Sequence, residues 1–271
     1  MNQGVNKGIS NNITAIIPAA GYASRISPLP CSKEIYPIGH YDQRIEGKSG
    51  VKVISSVLIE NMISAGADSV YIIIRKGKWD IPGFFGNGEN YNANLAYLVT
   101  DPTNGTPFTI NTAYPFVKNK KVLFGFPDIY FETFNPFKIL LDKQKKAGSD
   151  VVLGLYKAAN PQKMDMVKLD QESNVKEIKI KPVKTDLKFT WIFAVWTPRF
   201  TQYLNNFIQG ISKTGHSLKD STELKGEEIF IGDVIQSAIH DKLNVASVIF
   251  PDDKYYDIGT IDGLENIKKI K

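Results

Sequence analysis

Residues 13–25 read Ile-Thr-Ala-Ile-Ile-Pro-Ala-Ala-Gly-Tyr-Ala-Ser-Arg. The isoleucine-rich run Ile13–Pro18 is too short for a stable helix and has the β-branched content of a buried strand. A strand apolar on both faces must be covered on both sides, which favours a largely parallel sheet between layers of helices. The run stops at a loop of mostly small residues, Ala19–Ser24, whose backbone N–H groups lie bare. Arg25 follows at once and Lys33 comes eight residues later. Bare amides with two cations close by in sequence make a cradle for phosphate.

The rest of the first half alternates in the same style. Val51–Ala65 carries an apolar stripe at helical spacing and Gly66 ends it; Ser69–Ile74 is a β-branched run, and Leu95–Val99 is another short run that reads as a strand. A helix is expected over Thr106–Val117, confined by Pro107 and Pro115. A strand over Val122–Phe126 should then meet the Pro127-Asp128 turn, followed by a helix over Phe134–Ala147 and a strand over Val151–Tyr156. This βαβ alternation predicts an α/β, Rossmann-like mixed and mostly parallel sheet with helices on both faces. Ligands of such sheets lie at the carboxyl ends of the strands, where residues 21–25 and Asp128 fall. Beyond Pro161 the pattern turns β-rich, with strands expected over Met166–Leu169, Val175–Ile180, Phe189–Trp196 and Asn244–Phe250. Helices are expected over Arg199–Ile208, Glu227–Ile239 and Ile261–Ile270. The organisation expected is a loose tail over 1–12 and one domain over 13–271, its halves 13–158 and 159–271.

Of the 271 residues, 42% are hydrophobic, enough for a full core. No apolar run reaches the roughly 20 residues of a membrane helix, and the polar, Asn-rich residues 1–12 lack the apolar segment of a signal peptide. Cytoplasmic residence without a membrane partner is the expectation. The single cysteine, Cys31, excludes an internal disulfide framework. A net charge of +5 suits a protein that handles phosphates. The basic residues are dispersed, with no aromatic array between them, so nucleic acid is not an expected partner. Gly47-Lys48-Ser49 fails as a P-loop because Asp42 stands where the first glycine is needed. His40, His216 and His240 lack metal-ligand spacing.

Five segments, in order along the chain, resemble the sugar-phosphate nucleotidylyltransferases, the family of glucose-1-phosphate thymidylyltransferase and its uridylyl relatives. They are Ser24-Arg25-Ile26-x-Pro28 with Ser32-Lys33 and Pro37, Gly105-Thr106-Pro107, the run 122–128 ending in Asp128, Lys181-Pro182, and Tyr256-Asp257-Ile258-Gly259-Thr260. The resemblance implies transfer of a nucleotidyl group from a nucleoside triphosphate, dTTP or UTP foremost, to a sugar 1-phosphate such as glucose 1-phosphate. Pyrophosphate is released, and the role is in nucleotide-sugar and polysaccharide biosynthesis. It implies catalytic roles for Arg25, Lys33 and Asp128. Ala19, Ala20, Gly21, Ser24, Gly105 and Thr106 would contact the nucleotide. Lys181, Asp165 and Trp191 would contact the sugar phosphate. Mg²⁺, the implied cofactor, would be held by Asp128 and Asp257. Dimers and tetramers are common in the family, which puts a homo-oligomer among the expected partners.

Each residue also has a plainer reading. Asp128 can cap a helix beginning near Ile129, Lys181 can be an exposed strand end, and Asp233 reads as structural first. Gly259 beside Asp257 suggests a close approach of backbone. The chain departs from the family pattern at Ala23, where relatives often carry glycine, at Phe108, where a base-reading glutamine is usual, and at Asp165, Ile180 and Trp191. The last three replace a Gly, a Glu and a Gly near the acceptor. Ile180 and Trp191 keep open a cytidylyltransferase of the same fold acting on a non-sugar phosphate or phosphonate. A non-catalytic, ligand-sensing relative is the reading from a different class.

Overall fold

The computed structural model describes residues 12–42, 49–214, 228–252 and 254–267. The expected tail over 1–12 falls outside them except for Asn12. In chain order the elements are β1 (Ile13–Pro18), β2 (Pro37–His40), β3 (Val51–Val53), α1 (Ile54–Ser64), β4 (Ser69–Arg75), α2 (Asp80–Phe85) and β5 (Asn94–Thr100). There follow α3 (Thr106–Asn111), α4 (Tyr114–Val117), β6 (Lys121–Gly125), β7 (Ile129–Phe131), α5 (Pro136–Ala147), β8 (Val151–Lys157), β9 (Met166–Leu169), β10 (Val175–Lys179) and β11 (Phe189–Trp196). The chain continues through α6 (Pro198–Thr214), α7 (Ile231–His240), β12 (Val245–Ile249), β13 (Tyr255–Asp257) and α8 (Ile261–Ile267).

The main sheet runs β10-β9-β11-β6-β1-β4-β5, with β8 on β11 and β12 on β8. The part β6-β1-β4-β5 is parallel throughout. β11 lies antiparallel to both β6 and β8, which carries one sheet across residue 158. Alternation along β1 supplies both faces. Ala15 and Ile17 pack with Leu58, Ile59 and Met62 of α1 and Phe137 and Leu140 of α5. Ile16 packs on the other face with Ile110 of α3, Phe200 and Leu204 of α6, and Val234 and Ile235 of α7. The α/β architecture with helices on both faces is as expected.

Several boundaries differ from expectation, each for a local reason. Val51–Val53 is a strand and not the first turn of a helix: its Val-Lys-Val alternation suits the pairing that β2 offers, with His40 opposite Val51 and Pro37 opposite Val53. The helix expected over 106–117 breaks into α3 and α4, since Pro115 has no N–H to continue a ladder. α5 begins at Pro136, where the ring suits the first turn, after Asn135 in a left-handed conformation. Residues 215–227 lie outside the described chain, and α7 starts only at Ile231. Ile229 is held instead by its N–H to Asn104 O at 2.9 Å. α6 runs beyond Ile208 to Thr214, and residues 268–270 of the last expected helix fall outside the described chain. α2, β2, β7 and β13 had no clear signature. The β7–β13 ribbon sets Ile129 opposite Asp257, and so brings distant stretches of sequence to one edge.

Candidate active site

β1 and β6 lie side by side in parallel, Ile16 opposite Phe124, so the chain leaves both strands at the same sheet edge. There the 20–25 loop and Asp128 face a cavity of about 790 Å³, lined also by Lys33, Glu34, residues 102–106, Lys181, Glu228, Phe230 and Gly259. A cavity of this size at a sheet's carboxyl edge is suited to a small ligand.

Charge concentrates at one end of the cavity. Lys33 Nζ donates to Asp128 Oδ2 at 2.5 Å. Asp128 is followed by strand β7 and not by a helix, so it caps nothing. Asp257 reaches the same place through β13, and its Oδ1 accepts the Gly259 N–H at 2.8 Å. Gly259 is where these groups converge. A Cβ there would meet Asp257 Oδ1 at 2.9 Å, Asp128 Oδ2 at 3.2 Å and Arg25 Nη2 at 3.3 Å. The close approach suggested by its sequence neighbours is thus present, and its cause is a crowd of charged side-chain ends.

The charges tune one another. Burial works to raise the Asp128 carboxyl, but the charge and hydrogen bond of Lys33, a backbone hydrogen bond and Arg25 hold it below the usual carboxylate value. Asp257 moves the opposite way, pushed up by burial and by the negative charge of Asp128. Burial works against the Lys33 ammonium, yet Asp128, Glu34 and Asp257 keep its pKa above the ordinary lysine value, so it stays charged. Two carboxylates of hard oxygen held against a glycine are a donor pair that fits Mg²⁺, which takes one or two carboxylates and fills its remaining positions with water and phosphate. Asp128 and Asp257 are the carboxylates at this end of the cavity that could hold such an ion; among the described residues no group of three or more His, Cys, Asp or Glu forms a cation cage.

The loop that crosses the mouth of β1 starts at Ala19, which is buried and tied to β4 by its N–H to Ile73 O at 2.7 Å. Ala20, Gly21 and Ser24 line the cavity, whereas Ala19 supports it from behind. Ala23 takes φ 55°, the conformation that the family's glycine would adopt freely, at a cost of order 1 kcal/mol or more for alanine. Gly105, at φ 129°, packs on the backbone of residue 229, where a Cβ would lie 2.0 Å from Ile229 O.

Lys181 lines the cavity from a backbone at φ 39°. Its ammonium lies 3.6 Å from the centre of the Phe230 ring, so it is not a plain exposed strand end. Asp165 and Trp191 are placed differently. Trp191 is 4% exposed and packs against Phe124 and Phe126, and neither it nor Asp165 lines the cavity. Burial lifts the Asp165 carboxyl to about 6, against the pull of Lys181 and with reinforcement from Asp233. Asp233 has the structural role expected of it, accepting the Phe230 N–H at 2.8 Å at the start of α7. Sequence reading missed Glu34, Glu228 and Phe230. Of these, only Glu34, next to Lys33, carried a signal.

Among the described residues no helix is long and apolar enough to cross a membrane. None of the curated proteins compared with the chain matches it. A solved structure assigned as a glucose-1-phosphate thymidylyltransferase from Bacillus anthracis, in complex with sucrose, superposes at TM-score 0.77 and 18% identity, over 95% of this chain and 94% of the other. A UDP-glucose pyrophosphorylase complexed with UDP-glucose superposes at TM-score 0.75 and 17% identity, over 95% and 97%. At such identity these two show a shared fold. The family model described as nucleotidyl transferase matches residues 14–270, nearly the whole sequence, and the chain therefore belongs to that family.

Proposed function

We propose that this protein is a sugar-1-phosphate nucleotidylyltransferase that makes a nucleoside-diphosphate sugar and pyrophosphate, with dTTP or UTP as donor and glucose 1-phosphate as the first acceptor to test. The observation that carries the reading is the convergence of Arg25, Lys33, Asp128 and Asp257 around Gly259, beside a loop of bare amides. In the reaction a phosphate oxygen of the acceptor attacks the α-phosphorus of the nucleotide. The new P–O bond forms as the bond to the β-phosphate oxygen breaks, and pyrophosphate leaves with that electron pair.

Both reactants are anions, so the protein's task is to position them and offset their charge. The amides of residues 20–24 hold the triphosphate. Arg25, at the rim, offers a planar fork to the departing pyrophosphate. Lys33 supplies a full positive charge between the two phosphates, because its carboxylate neighbours keep it protonated. Lys181 anchors the acceptor phosphate. Bound Mg²⁺ would draw charge from the α-phosphate oxygens, held there by Asp128 and Asp257. Residues 102–105 and the backbone near Ile229 form the wall on which the base would lie.

A second reading, a cytidylyltransferase with a non-sugar phosphate or phosphonate acceptor, draws on the crowding behind the acceptor end. There Ile180 Cδ1 and Asp165 Oδ2 lie within 2.5 and 2.7 Å of where a Cβ on Gly232 would sit. Pyrophosphate release across a matrix of CTP, UTP, dTTP and phosphate acceptors separates the readings. Turnover confined to CTP with non-sugar acceptors overturns the first, and no turnover with any pair favours a ligand-sensing role. Asp128→Asn should lower kcat by roughly a hundredfold or more in a folded protein, since it removes a metal ligand and the partner of Lys33. Retained turnover in that variant rules out the metal role.

A further inference from the structure

The side chain of Lys33 projects into the cavity from a short stretch, Ser32–Tyr36, that follows a loop and ends at β2. A lysine on such a stretch has a long flexible stem, and something must fix where its stem begins. The residues on either side of it supply the answer. The carboxylate of Asp80 accepts the Ser32 N–H at 2.7 Å through one oxygen and the Ser32 hydroxyl at 2.8 Å through the other. On the other side, Lys78 Nζ donates to both oxygens of Glu34, at 2.7 and 2.8 Å, and these two side chains are 4% and 2% exposed. Lys78 lies in the turn after β4, which Gly77 opens at φ 91°, and Asp80 is the first residue of α2. Further along, Ser55 Oγ donates to Glu34 O at 2.6 Å, and the Ile54 N–H bonds Tyr36 O at 3.1 Å.

A buried ion pair is a poor device for stability alone, because desolvation offsets most of the attraction. It is a good device for fixing one geometry. Neither Lys78 nor Asp80 lines the cavity. We propose that Lys78 and Asp80 are positioning residues for Lys33, a two-point clamp on Glu34 and Ser32 that aims the Lys33 ammonium at the phosphates. The proposal rests on the nucleotidylyl-transfer reading and adds two residues from α2 and the turn before it to the reaction's machinery.

Asp80 is exposed, so Asp80→Ala tests the clamp without emptying the core. The expected result is a kcat lowered about tenfold to a hundredfold, the scale of a misplacement near 1 Å, with KM for both substrates changed by less than about threefold. In a Lys33→Ala background the same substitution should add less than about threefold, because it acts through the residue already removed. Lys78→Met together with Glu34→Gln should repeat the pattern without leaving a lone buried charge. An unchanged kcat, or a loss that multiplies fully with Lys33→Ala, overturns the proposal. If the wild-type protein transfers no nucleotide at all, the functional reading falls, and amide hydrogen exchange decides the clamp. Exchange over Ser32–Tyr36 accelerated about tenfold in Asp80→Ala, with β1 and β6 unchanged, upholds the clamp as a device of the fold. Unchanged exchange removes it.

Discussion

Replacing Gly259 by alanine tests whether the two carboxylates and the arginine act together. Gly259 is buried, and its backbone is not in the left-handed region, so alanine is allowed there conformationally. What the new methyl meets are the ends of Asp257, Asp128 and Arg25, at 2.9, 3.2 and 3.3 Å. Ordinary contacts with carbon are about 3.5 Å or longer, so each of these ends must retreat by a few tenths of an ångström. The main chain and the sheet need not move, and stability should change by no more than about 1 kcal/mol. The chemistry should suffer far more. Mg²⁺ tolerates little departure from octahedral geometry at about 2.1 Å, and displacements well under 1 Å at reacting groups cost about tenfold in rate. The assay is pyrophosphate release across a Mg²⁺ titration, with thermal unfolding of the same preparation as control. A kcat lowered about tenfold or more, with a higher half-saturating Mg²⁺ concentration, is expected. Wild-type turnover and an unshifted Mg²⁺ response in a folded Gly259→Ala protein would refute the idea that these ends share one ion.

Gly105→Ala should behave in the opposite sense, with stability lost first. Its Cβ would lie 2.0 Å from the Ile229 carbonyl, a backbone group that cannot swing away, and its φ of 129° is strained for alanine. Urea unfolding should report a loss of roughly 3 kcal/mol or more, and a value under about 1 would mean that the two segments separate easily. Asp165→Asn probes pH dependence. Folded Asp165 keeps its proton up to about 6, whereas the unfolded carboxyl ionises near its ordinary 3.8. The folded state therefore binds more protons in between, and wild-type stability should fall as pH rises from 4 to 6 and then level off. Asparagine removes that slope, so the variant should gain on wild type by up to about 3 kcal/mol between pH 4 and 7, measured by denaturant unfolding at each pH. Parallel curves would mean that Asp165 is ionised in the fold at pH 4.

The parallel half of the sheet was legible because its strands are short apolar runs bounded by loops, and β1 is found over the range its composition implied. The 20–25 loop and Asp128 could be placed together because strands that alternate with helices all end at one edge. Where reading failed, tertiary partners outweighed local preference: Val51–Val53 follows β2 and not the helix it precedes. Three-residue strands such as β7 and β13 carry no periodicity to detect, although they unite Asp128 with Asp257. Trp191 and Asp165 could be assigned to the acceptor end only by likeness to a family. The burial of Trp191 against Phe124 and Phe126 depends on packing between separate segments that no local pattern encodes.

The β7–β13 ribbon has a consequence for how the centre comes into being. Loop 20–25, Lys33 and Asp128 are all available once the first half of the chain has been made, and β8, β11 and β12 complete the main sheet before residue 250. Asp257 and Gly259 arrive later, moored by a three-residue pairing, by the Ile258 N–H to Asp128 O at 3.0 Å and by Ile258 packed against Ile54. The second carboxylate is therefore in place only after residue 257 has been made and has paired with β7. On the proposed mechanism, loss of the residues from Tyr255 onward would leave Asp128 without its second carboxylate.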